Sequence, residues 1–571
     1  MKINCINILA FFFASITIIA TAPPALADRA QQWDENTRAV YDLLLAQMQH
    51  ANTDYAGAAD TLVKYAKTQK NNKLYHKALQ ALIQTKRYQE AIALLNVWRK
   101  NSKADLTALE VFTLTLNDKT DAAIKVIDKA LGSTNDAGIR RRLTGFNRML
   151  LGIWYNSNVL AVYKALHQAY PNDQSIGISY SRILRWHGYT DKAVEIIDHY
   201  LFEKGKDLNL VQEKSDIYRY ALDLKRARQV WQNLLRDYPN NPVYQLAQAQ
   251  FLYDCYDFTS AYQALLTITT DDKTLRASIS RLKILALIQQ GKDEQALASS
   301  AWQKLKASAK DQLYYRIGDM LLNKKQFALA EKALNHIAND SDFYLAAQIK
   351  LGSVMYNSSS AAGDAWFEQL KNNPKLTLNE WLKSKAEVLD SLGDTLGAYQ
   401  VLTELLHKNP ENQSIRYARS LLASQMGNNK QAIVDLKILH ASNPDDSQYQ
   451  NALGYTLLTQ SQSIDEGAAL IEKSLLEDPA NAATVDSMGW AKYQQKKYHA
   501  ALPYLRYAYS QIRDAEVIAH YILALFKADN MHLAQQLYHT EIRYQPNVKK
   551  IHDHLENSGI PDLMEKLKGE S

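Results

Sequence analysis

Cysteine is almost missing from this 571-residue chain, which has only Cys5 and Cys255. One cysteine beyond the N-terminal stretch excludes an intramolecular disulfide framework and leaves Cys255 without a metal-binding companion, so a buried, unreactive thiol is expected there. Proline (12) and glycine (20) are scarce. Their scarcity disfavours a turn-rich all-β fold and long disordered linkers. Charge of one sign is lacking too: the net charge is +6. Nucleic-acid binding needs a concentrated basic face, and the densest cluster, Arg140-Arg141-Arg142, reads as a solvated helix face. Catalytic signatures are missing as well. There is no His-Glu-x-x-His, no G-x-S-x-G elbow and no glycine-rich phosphate loop. His552 and His554 flank Asp553 but alternate along a helix, so they read as a polar cap rather than a metal site. No catalytic residue, cofactor or metal is expected.

The apolar run from Ile8 to Ala20 is broken by Ser15 and Thr17 and is short for a bilayer span. Lys2 precedes it, and Ala25-Leu26-Ala27 follows as a small-x-small site. Residues 1–27 are therefore expected to be a cleavable export signal. Cys5 is not at the end of the apolar run, so no lipid anchor is expected.

What the chain does have is a clock. Small residues recur at Ala58, Ala91, Ala123, Ala193, Ala227, Ala261, Ala296, Ala330, Ala362, Ala398, Ala432, Gly467, Ala501 and Ala534, with Val159 in the one remaining slot. The ladder takes 14 steps over 476 residues, a mean period of 34. Pro171, Pro239, Pro374, Pro410, Pro444, Pro479 and Pro546 each follow a slot by twelve residues. Proline cannot continue a helix, so each marks a helix end in phase with the ladder. Each unit reads as two amphipathic helices. In residues 481–513, Val485, Met488, Gly489 and Ala491 line one helix, and Ala501, Leu505 and Ala508 the other. Gly489 and Ala501 are expected at a close helix crossing. Tyr504, Tyr507 and Tyr509 are expected to cover the seam with the neighbouring unit.

The segments "GAYQVLTELLHKNP" from Gly397 and "QAIVDLKILHASNP" from Gln431 fit a small–x3–apolar–x2–small–x4–Pro pattern. "NALGYTLL" and "DSMGWAKY" carry a Leu/Met-Gly pair. With these motifs the chain resembles the tetratricopeptide repeat (TPR) family over residues 39–546. The implied fold is all-α, a right-handed superhelical solenoid of about 15 helix-turn-helix units. Residues 28–38 would lead in, and residues 547–571 would cap the end. Trp98 and Gln369 stand where a small residue is usual.

The resemblance also implies a concave face, built from the second, fifth, ninth, twelfth and thirteenth residues of each first helix. The partner-binding candidates on it are Arg182, Arg185, Trp186, Arg219, Tyr220, Asn451, Tyr455, Asp486, Trp490 and Tyr493. Aromatic and arginine side chains are common binding anchors, although a tight spiral would pack the same side chains against one another. The C-terminal third looks like the LbcA-like TPR adaptors of a carboxyl-terminal processing protease. That likeness implies a periplasmic, non-catalytic scaffold, free or peripheral at the outer membrane, whose protein partners are the protease and peptidoglycan hydrolases. The alternative is a structural scaffold for envelope polysaccharide secretion or outer-membrane assembly.

Overall fold

The computed structural model describes residues 35–51, 55–132, 136–204, 207–460, 463–543 and 548–569. The expected signal at 1–27, most of the lead-in, and Pro546 lie outside them. Among the described residues there are 32 α-helices, one 3-10 helix and no strand. None of the helices is long and apolar enough to cross a membrane.

The local rules repeat from unit to unit. Gln174, Leu208 and Pro242 open successive first helices, each 34 residues after the last. Asp173, Asp207 and Asn241 cap them by accepting from backbone N–H groups that have no partner inside the helix. A left-handed residue then ends the first helix: Leu222 (φ 64), Tyr256 (φ 60), Gly427 (φ 76) or Lys496 (φ 60). The Leu222 N–H donates to the Arg219 carbonyl (3.0 Å) and the Asp223 N–H to that of Tyr218 (2.9 Å). This closes the helix and turns the chain. Asp223, Asp257 and Asn428 follow Leu222, Tyr256 and Gly427 at once and cap the second helices, as Asp394 does after Gly393 (φ 92). Pro239, Pro410, Pro444 and Pro479 stand directly after the C-caps of second helices.

The small-residue ladder is the inner seam of the helix pairs. Ala58, Ala91, Ala123, Val159, Ala193, Ala227, Ala261, Ala296, Ala330, Ala398, Ala432, Ala501 and Ala534 are all fully buried. One rung is displaced. Ala362 is only half-buried and Gly363 takes its place, because a Cβ at Gly363 would fall 2.2 Å from the Tyr356 ring. The same one-residue shift buries Phe367 and Leu370 and leaves Gln369 exposed, so its size is harmless.

The chain divides into two compact units, one up to Leu106 and one from Thr107. In the first, Trp98 is buried, stacks on Tyr75 at 5.3 Å, and donates its indole N–H to Asn72 (2.8 Å). A large residue is accommodated there by this stack.

In the second unit, Gly489 lets two helices cross. A Cβ on it would meet Leu505 Cγ at 2.6 Å. Pro503 lies in the interior of the helix Tyr498–Gln511, not in its first turn. The helix there forgoes one backbone hydrogen bond. The chain ends in two helices, Val548–Glu556 and Leu563–Lys568, buried through Ile551, Leu555, Leu563 and Leu567. His552 meets the Tyr538 hydroxyl at 3.2 Å.

Candidate protein-binding surfaces

The N-terminal group of candidate residues sits where the second unit closes on itself. Arg182 is exposed and donates to Glu213 (2.8 Å). Arg185 is buried and donates to the other Glu213 oxygen (2.9 Å). Trp186 is only 8% exposed. Its ring lies 5.0 Å from that of Trp154 and 4.9 Å from that of Tyr507, and its carbonyl accepts from Arg506 (2.7 Å). Arg219 pairs with Asp216 (2.8 Å) and lies 4.3 Å over the Tyr220 ring. The Tyr220 hydroxyl donates to the carbonyl of Ser510 (3.0 Å), 290 residues along the chain.

These contacts belong to a continuous seam. The Trp154 indole donates to the Pro479 carbonyl (3.1 Å) across 325 residues. Gln536 donates to the Leu222 carbonyl (2.6 Å) across 314, and Arg513 to that of Asp254 (2.8 Å) across 259. Tyr507 stacks on Trp154 at 4.5 Å, and Tyr504 on Tyr155 at 5.7 Å. The expectation that these tyrosines cover the seam with a neighbouring unit is only part of the outcome for Tyr504 and Tyr507: the Tyr507 hydroxyl does donate to the Ala480 carbonyl at the end of the preceding unit (3.2 Å). The rings they cover belong to a unit more than three hundred residues earlier, because the array curves back upon itself. Tyr509 instead bonds Glu541 (2.6 Å), 32 residues on.

The C-terminal group is brought together around one histidine. Asp486 is 6% exposed, and its Oδ2 lies 2.9 Å from His520 Nδ1. The Trp490 ring stacks on His520 at 4.1 Å and on Tyr493 at 4.7 Å. Tyr455 donates its hydroxyl to Glu516. Asn451 is half-buried on the same helix as Tyr455. Burial pushes the Asp486 carboxyl up, and His520 offsets this only in part. Burial opposes protonation of His520, but Asp486, Glu516 and Asp514 outweigh it and hold the imidazole above its usual range. Burial also pushes the Tyr493 phenol up to about 12. His520 and Glu516 were not singled out from the sequence. Their signal was weak, since they occupy a helix that is apolar nearly all round.

A third surface is open. The helix rule, carried one unit beyond Tyr220, selects Val243, Leu246, Gln250, Tyr253 and Asp254, and all five line a cavity of about 510 Å³. Its far wall is the helix Lys273–Gln289. A second cavity of about 400 Å³ continues to the helix Ala307–Asn323 and Phe343. Ser278, Arg281 and Arg316 line both. Both arginines are exposed, and neither pairs with a described residue.

No family model matches the chain. TPR repeat-containing protein PA4667 of Pseudomonas aeruginosa is 31% identical over 212 residues, which are 37% of this chain and 36% of that protein. Over that stretch the chain is similar to a tetratricopeptide repeat protein. The match thus spans about a third of that TPR protein's length. Among solved structures, the chain is similar to a TPR protein of Thermus thermophilus (13% identity, 31% of this chain and 96% of that one, TM-score 0.29). It is also similar to a tetratricopeptide repeat protein of Parabacteroides merdae (15%, 43% and 98%, TM-score 0.32). A third is the APC/C hetero-tetramer Cut9-Hcn1 (16%, 92% and 97%, TM-score 0.31).

Proposed function

We propose that this chain is a non-catalytic scaffold that holds protein partners on the first-helix face of its tetratricopeptide array. The observation that carries the reading is the open groove from Val243 to Phe343, where successive first helices leave apolar walls and unpaired cations facing solvent. Successive units of a repeat array set equivalent helices side by side, so such a face is built by repetition and suits an elongated partner. The resemblance of the C-terminal third to adaptors of a processing protease supports a finer reading. In it, the chain is exported, acts in the periplasm, and docks a carboxyl-terminal processing protease with its cell-wall hydrolase substrates.

Affinity capture with the chain lacking residues 1–27, followed by mass spectrometry, tests this. Recovery of a processing protease or murein hydrolases is the expected result. Recovery of only polysaccharide-export or outer-membrane assembly proteins would replace it with the structural-scaffold reading. Turnover by the purified chain alone would overturn the non-catalytic role.

A further inference from the structure

We infer that the groove from Val243 to Phe343 binds an extended protein segment with carboxylate side chains at its centre and apolar side chains on both flanks. This rests on the scaffold reading and adds the chemistry of the occupant. Arg281 and Arg316 lie where the two cavities meet, since both line both of them. Val243, Leu246 and Tyr253 offer partly exposed apolar surface on one side, and Tyr315 and Phe343 on the other. Apolar side chains gain by covering those walls. An occupant that covers them also removes water from the two guanidinium groups. Arginine cannot shed its charge, so the occupant must supply the counter-charge or leave two cations desolvated.

The chain itself offers the pair little. Asp254 at the groove edge already accepts from Gln250 (2.8 Å), and burial pushes its carboxyl up. Elsewhere in the unit, arginines on the same face are neutralised internally: Arg182 and Arg185 by Glu213, Arg219 by Asp216. Placement of the pair between two cavities also selects the source of the carboxylate. A chain terminus anchored at the arginines would fill one cavity and leave the other empty, whereas side-chain carboxylates in a passing segment let it fill both.

The test is to pan a random-peptide library, displayed without free C-termini, on the chain lacking residues 1–27 and on its R281Q/R316Q double variant. Both positions are exposed, and circular dichroism confirms that the variant keeps its helices. Expected are enriched sequences with central Asp or Glu between apolar residues. A synthetic copy of one of them should bind the double variant about tenfold or more weakly, the loss of one or two charge-assisted hydrogen bonds. Enrichment of acid-free sequences, no enrichment, or equal binding to the double variant overturns the proposal. So does displacement of the peptide by single-stranded oligonucleotide at equal concentration. Protein capture by both forms alike would sink this groove and leave the scaffold reading standing. No capture by either form would sink the scaffold reading too.

Discussion

Asp486 and His520, 34 residues apart, meet in the buried interior of consecutive repeats with Oδ2 and Nδ1 at 2.9 Å. The imidazole is held above its ordinary 6.5. The folded state therefore binds the His520 proton more tightly than the unfolded state does. The share of His520 is fully present below about pH 6.5 and is lost as pH rises through the folded value. The raised Asp486 carboxyl has the same sign. The neighbouring His554 is opposite: burial lowers it, so its share is lost as pH falls below about 6.5. Hydrogen exchange of the helix Ala515–Lys527, followed against pH, should speed up on the alkaline side. The quantity to compare is the protection factor, corrected for base-catalysed intrinsic exchange: it should fall on the alkaline side in the native chain and lose that fall in H520Q. An unchanged pH profile in H520Q would show that the pair contributes nothing.

The helices Ser447–Leu458 and Ile464–Glu477 touch backbone to backbone. A Cβ on Gly454 would lie 2.7 Å from the Gly467 carbonyl, and one on Gly467 would lie 2.6 Å from that of Gly454. Neither carbonyl can rotate away as a side chain would. G454A and G467A should each cost about 1–3 kcal/mol in urea unfolding of that region. G132A, with nothing within 4 Å of the added carbon, should be neutral or slightly stabilising.

The seam has a buried ionic clasp. Arg513 pairs with Glu541, which is fully buried, and lies 4.0 Å over the ring of Tyr256. The Tyr256 hydroxyl in turn reaches Glu541 (3.3 Å). In R513M the Glu541 carboxylate keeps its burial and loses its cation, a change of about 3–5 kcal/mol. Faster hydrogen exchange is expected on both sides of the seam, in Pro242–Asp254 and in Tyr498–Gln511. Protection retained on the Pro242 side would mean that the clasp does not hold the turn closed. R236M, at an exposed site, serves as the control.

Trp490 and Tyr493 are half-buried and stacked, so their removal separates two roles. W490A should uncover His520 and weaken the C-terminal repeats by about 1–3 kcal/mol in urea unfolding. Y493A should be milder. If Y493A reduces partner capture at unchanged stability, the tyrosine is a contact. If capture and stability fall together, it is packing.

Burial pushes the Cys255 thiol up to about 11. The native chain lacking residues 1–27, and with them Cys5, should resist iodoacetamide at pH 8, and labelling should appear only on unfolding. Rapid native labelling would contradict the packing around that residue.

The repeat was legible because it rests on local rules. Fully buried rungs such as Ala227 and Ala501, the caps, and the prolines after second helices all follow from side-chain size and backbone chemistry within one unit. Phe367 shows the limit. Its rung moved by one because the Tyr356 ring, a tertiary neighbour, leaves room only for Gly363. Aromatic and arginine residues at first-helix positions were also legible as important, but their surroundings were not. Trp186 and Tyr220 meet residues some three hundred positions away, while Tyr253, one unit on, lines an open groove, and Asp254 beside it serves both, its carbonyl accepting from Arg513.

By itself, then, the sequence determined the all-helical repeat, its 34-residue period and the inner seam of each pair. Those depend on contacts within a turn or two of helix. Only the tertiary structure decided which stretch of the first-helix face is closed and which stays open. That outcome depends on a small rotation between successive units, accumulated over nine or so repeats. No single unit's side chains encode the sum.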